Sequence, residues 1–121
     1  MRTRRLFLNR LDPAHEPVDA VVVIDVLRSF TTAAYAFAAG ASTIYPVETI
    51  AGAFRLLRRV PDAATTGAVG GGDPIPGFDF GNSPSAVQNA NLVGRPLIQT
   101  TAAGVRGLTR FRRARALFAG S

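Results

Sequence analysis

The chain has 121 residues, 47% of them apolar and 18% charged, a globular composition at single-domain length that argues against intrinsic disorder. Its formal charge of +6 rests on fourteen basic residues, all arginine, and the absence of cysteine excludes disulfides and thiolate metal sites and fits a cytoplasmic protein. No apolar run approaches the roughly 20 residues that a membrane span requires, so no membrane partner is expected.

The first residues, MRTRRLFLNRLDP, have a basic end but neither the apolar stretch nor the small-residue cleavage site of a signal peptide. RRLFLN (4–9) reads as a short strand and LDPAHEPV (11–18) as a loop punctuated by two prolines. His15, the single histidine, falls in that loop and reads as a solvated residue, not as an acid–base group. DAVVVIDV (19–26) is the clearest segment, a continuous β-branched run of the kind found in strands covered on both faces.

SFTTAAYAFAA (29–39) predicts a small-residue helix, with Ser29 as candidate N-cap and Gly40 as its stop. STIYPV (42–47) is the next strand. Thr49 opens TIAGAFRLLRRV, whose Ile50, Phe54 and Leu57 share one helical face until Pro61. ATTGAV (64–69) is a strand leading into a glycine-rich loop, and a short helix starts at Asn82 or Ser83 with Pro84 in its first turn. RPLIQTT (95–101), AAGVRGLTRF (102–111) and RALFAG (115–120) read as strand, helix and strand.

This alternation predicts an α/β protein: a three-layer α/β/α arrangement, one domain over residues 1–121, with a mostly parallel sheet and helices on both faces. A final strand that runs to Ser121 ordinarily leads into a further helix, so the chain reads as a fragment or as a domain whose partner lies elsewhere. Its arginines gather near the start, at 55–59 and at 106–115. The last two groups fall on helices or their ends, where a solvated face explains them, and no aromatic residues interleave for base stacking. No nucleic-acid partner is expected.

Ligands of open α/β sheets bind beyond the carboxyl ends of the strands, and three polar clusters fall there. The first follows the VVVI strand. Asp25 is suited to a hard cation and Arg28 to clamping an oxyanion, with Ser29, Thr31 and Thr32 adding hydroxyls. Plain helix capping by Asp25 and Ser29 is the competing reading. The second cluster runs from Gly70 to Ser83, with Phe78 and Phe80 expected to pack inward while Asp79, Asn82 and Ser83 face a shared opening. The third is Gln99-Thr100-Thr101-Ala102-Ala103-Gly104. One histidine and no cysteine leave no transition-metal site and no Ser-His-Asp triad, and no Walker-type Lys-Ser/Thr follows the glycines. What remains is a hard divalent cation on carboxylates, facing an anionic or phosphorylated small molecule.

VVIDVLRSFTTA, IPGFDFGNSP and LIQTTAAGVRGL resemble, in order and spacing, the N-terminal half of the 2-phosphosulfolactate phosphatase family, over roughly residues 20–121. Family members read VIDVLRATTT, a Gly-Glu turn, GFDLGNSP and TTTNGT. The resemblance implies an α/β/α fold and a Mg²⁺-dependent phosphatase that turns 2-phospho-3-sulfolactate into 3-sulfolactate and phosphate, a step of coenzyme M biosynthesis in methanogens. It implies Asp25 and Arg28 as catalytic residues and Asp25 and Asp79 at the metal. Thr31, Thr32, Asn82, Ser83, Thr100 and Thr101 are the expected substrate contacts. The sequence departs from the pattern in three ways. Gly67-Ala68-Val69 replaces the Gly-Glu turn, Ala102-Ala103 removes an asparagine amide, and the length is about half that of the family. The alternative expectation is an impaired member that binds anions or oligomerises. A homo-oligomer, or contact with a missing C-terminal half, is expected in either case.

Overall fold

The computed structural model describes residues 3–5, 7 and 19–121. Elements follow in the order β1 (Ala20–Ile24), α1 (Ser29–Ala38), β2 (Thr43–Pro46), α2 (Ile50–Leu57), β3 (Ala64–Gly67), β4 (Phe80–Gly81), α3 (Pro84–Val87), β5 (Pro96–Thr100), α4 (Gly104–Arg110) and β6 (Ala116–Gly120). A single turn of 3₁₀ helix, Gly70–Gly72, sits between β3 and β4. All pairings between the described strands are parallel. Among the described residues they form a four-stranded sheet in the order β2-β5-β3-β4 and a separate pair, β1 with β6.

The expected α/β architecture is therefore present, and local chemistry explains its punctuation. Gly40 stops α1 at φ +100°, where its N–H reaches Phe37 O and the Ala41 N–H reaches Ala36 O. A side chain there would meet the Val93 backbone at 2.8 Å. Thr49 caps α2, its Oγ1 accepting from Gly52 N at 3.0 Å. Pro84 occupies the first turn of α3, where a missing N–H costs nothing.

Successive residues of a strand point to opposite faces, and the core divides accordingly. Leu97 and Ala64 pack with Ala36 of α1 and Val87 of α3 on one side. Ile98 and Ala63 pack with Ala53 of α2 on the other. Helices thus cover both faces of the four-stranded sheet. Phe78 and Phe80 both turn inward, but to opposite sides: Phe78 lies edge-on to Phe54 at 5.5 Å, and Phe80 joins the α1–α3 side.

Several details differ from the sequence reading. β4 was not anticipated, because two residues with a glycine carry no periodicity. Ser29 is not the N-cap of α1; Arg28 holds that position and Ser29 is the first helical residue. α4 starts two residues later than expected, with Ala102 and Ala103 in an exposed turn. β1 was expected to be covered on both faces, yet its exposure alternates: among the described residues α4 and β6 are its main packing partners. Residues 4, 5 and 7 carry no strand; the rest of the expected 4–9 strand, the 11–18 loop and His15 lie outside the described residues.

Candidate functional site

The carboxyl ends of β1, β3 and β5 meet at one place. Asp25 extends the β1–β6 ladder by one bond, its N–H reaching Gly120 O at 3.0 Å. The chain then turns tightly into α1: Phe30 N donates to Asp25 O at 3.1 Å and Thr32 N to Arg28 O at 2.9 Å. The Leu27–Arg28 peptide bond within this turn is cis. Asp25 is half-buried and Arg28 exposed. The carboxylate Oδ1 accepts from Ser29 N at 3.4 Å, so part of its role is to hold the start of the helix.

A buried polar bridge pins this turn to the end of β5. Ser29 Oγ donates to Thr101 Oγ1 at 2.8 Å, and Gln99 Nε2 donates to the Ser29 carbonyl at 2.8 Å. Thr101 Oγ1 also accepts from Val105 N of α4 at 3.4 Å. Gly104 makes the approach possible, because a Cβ there would lie 2.9 Å from Asp25 Oδ2 and 2.8 Å from Ser29 Cβ. From β3, the glycine turn brings Gly72, at φ +94°, directly against the Arg28 guanidinium. One carboxylate, one guanidinium, two hydroxyls and a side-chain-free loop are thereby assembled from three strands that are distant in sequence.

Of the six expected substrate contacts, Thr101 is part of this bridge. Thr31 Oγ1 donates to Val26 O at 2.6 Å and Ser83 Oγ pairs with Ser85 Oγ at 2.8 Å, so both are engaged in local structure. Thr32, Asn82 and Thr100 are buried, and each keeps one oxygen without a hydrogen-bond partner: Oγ1, Oδ1 and Oγ1. A buried unpaired polar atom costs about 1–3 kcal/mol unless water or a ligand meets it. Gln99, Gly72 and Gly104 were given no individual role from the sequence. A glycine three residues after the Thr100-Thr101 pair, at the start of a helix, was the available signal for Gly104.

Asp79 requires a correction. Its Oδ2 accepts from Thr65 N at 2.8 Å and from Thr65 Oγ1 at 2.9 Å, while its own N–H donates to that hydroxyl at 2.8 Å. Thr65 pairs with Ile98, two residues before the carboxyl end of β5, about 7 Å back along the sheet. Asp79 therefore fastens β4 to β3 and does not join Asp25 in a shared metal site. Nor do Asp79 and Asn82 face one opening. Asp79 instead lines a shallow depression of about 350 Å³ with Arg58 and Arg95, towards the amino end of β3.

Among the described residues no group of three or more His, Cys, Asp or Glu side chains could cage a metal. Magnesium does not need such a cage. It is commonly held by one or two carboxylates together with substrate phosphate oxygens and water. Asp25, with no hydrogen bond to Oδ2 among the described residues, fits that open kind of site. No described helix is long and apolar enough to cross a membrane.

The family model for 2-phosphosulpholactate phosphatase matches residues 7–121. A protein of Carboxydothermus hydrogenoformans named "Probable 2-phosphosulfolactate phosphatase" is 47% identical over 102 residues, covering 84% of this chain and 42% of the relative. Proteins of the same name from Bacillus subtilis and Deinococcus radiodurans are 45% and 40% identical, over 74% and 83% of this chain. The chain spans 39–42% of the length of these relatives.

Proposed function

The chain belongs to the 2-phosphosulfolactate phosphatase family, and from that premise we propose that it forms the oxyanion-binding part of a Mg²⁺-dependent phosphatase. The substrate is 2-phosphosulfolactate or a related anionic phosphomonoester, released as sulfolactate and phosphate. The observation that carries this reading is the meeting of Asp25, Arg28 and the Gly70–Gly72 turn at the carboxyl ends of the strands. Arg28 presents a planar fork of donors, which suits a phosphoryl or sulfonate group better than a point charge would. Gly72 leaves open the space that a side chain would take from that fork. The Ser29–Thr101 bridge holds the turn in place, which limits reorganisation when the anion arrives.

Magnesium, held by Asp25, would supply polarisation of the phosphoryl oxygens. No described residue is assigned as general base. The reading is consistent with a cytoplasmic protein whose ligand is a small anion.

The test is calorimetric titration with 3-sulfolactate and with phosphate, with and without Mg²⁺. Both anions should bind more tightly with the metal present, and Asp25→Asn should remove most of that gain while leaving the circular dichroism spectrum unchanged. Binding of neither anion, or a metal effect that survives Asp25→Asn, would overturn the assignment.

A further inference from the structure

Among the described residues, the β1–β6 pair is a parallel sheet with one bare face. Val23 packs against Gly107 of α4, whereas Val22, Ile24 and Phe118 on the opposite face are 58%, 71% and 55% exposed. Val22 pairs with Phe118 in the strand register, so these side chains form one patch. Along the chain the apolar surface continues into the turn beside Asp25 and Arg28, where Val26 and Leu27 are 51% and 90% exposed.

Parallel sheets are almost always covered on both faces, usually by helices. The sequence of β1 agrees with that rule, since AVVVI is apolar at both parities. An exposed patch of this kind in a soluble domain marks an interaction surface. Two copies of the chain meeting here would stack sheet on sheet, an arrangement typical of antiparallel sandwiches. The matched relatives, in contrast, carry more than half of their own length outside the match, which covers only 42% of the Carboxydothermus hydrogenoformans protein.

We propose that the bare β1–β6 face seats an apolar helix from a segment equivalent to the unmatched part of those relatives. The seated segment also walls the Asp25–Arg28 turn, through contact with Val26 and Leu27. The inference stands on burial and register and does not depend on the phosphatase reading.

The absence of cysteine allows a direct test. Ile24→Cys and Phe118→Cys report on the face, and Val93→Cys, at a position 76% exposed before β5, serves as control. Thiol modification is followed by mass spectrometry in the 121-residue chain and in a chimera that adds the unmatched part of the Carboxydothermus hydrogenoformans relative. Modification at 24 and 118 should slow in the chimera on the order of tenfold or more, with position 93 unchanged. As a second reading, Ile24→Glu should be thermally neutral in the 121-residue chain and lower the chimera's midpoint by roughly 5 °C or more. Equal modification rates in both proteins, or a neutral Ile24→Glu in both, would overturn the proposal. So would protection in the 121-residue chain alone with a dimeric mass, because the occupant would then be a second copy.

Discussion

Arg28 and Gly72 are the two residues whose chemistry is least replaceable. Arg28 is exposed and makes no ion pair among the described residues, so its guanidinium is free to take an anion. Lysine would keep the charge and lose the fork. Arg28→Lys should therefore weaken phosphate binding severalfold, and Arg28→Ala on the order of tenfold or more, as expected for a charge-assisted bidentate contact. Neither should alter thermal stability by more than a degree or two, which a melting curve beside the titration would check. Gly72→Ala acts differently. A β-carbon there forces the guanidinium away and strains a backbone at φ +94°, at about 1–2 kcal/mol. Both stability and phosphate affinity should fall together, in contrast to the Arg28 variants.

At the level of the elements, the sequence disclosed much and missed what depends on pairing. β1, β2, β3, β5 and β6 announced themselves by β-branched or apolar runs bounded by Gly, Pro and Ser, and the caps at Thr49, Pro84 and Gly40 lie where their chemistry requires. The Asp25-to-Ser29 turn was legible because a carboxylate, an arginine and hydroxyls follow a buried-type strand. The role of Asp79 was not. Its sequence neighbours suggest a ligand-facing loop, but its partner Thr65 is fourteen residues away and becomes its neighbour only when β4 pairs with β3. The bridge from Gln99 to Ser29, seventy residues apart, is hidden in the same way. Two opposite expectations follow for one loop. Asp79→Ala should cost about 2 kcal/mol, the scale of hydrogen bonds to a charged group, seen as a lower denaturation midpoint. It should leave phosphate affinity unchanged, since the carboxylate belongs to the β3–β4 junction. A loss of anion binding without a loss of stability would restore Asp79 to the site.

For the whole molecule, the question is which end of the sheet receives the anion. Two shallow depressions, one lined by Arg58 and Arg95 and the other by Arg95, lie near the amino ends of the strands. The carboxyl-end cluster, by contrast, combines Asp25, Arg28, a glycine turn and a buried hydroxyl bridge. Parallel α/β sheets place ligands at that end, where loops after several strands converge. Amide chemical shifts of the isotope-labelled chain, followed by NMR while inorganic phosphate is titrated in the presence of Mg²⁺, would decide the matter residue by residue. The account predicts saturable shifts grouped at 25–32, 70–73 and 100–105, and their disappearance in Arg28→Ala. Shifts confined to 57–65 and 93–96, around Arg58 and Arg95, or shifts that persist undiminished in Arg28→Ala, would contradict it.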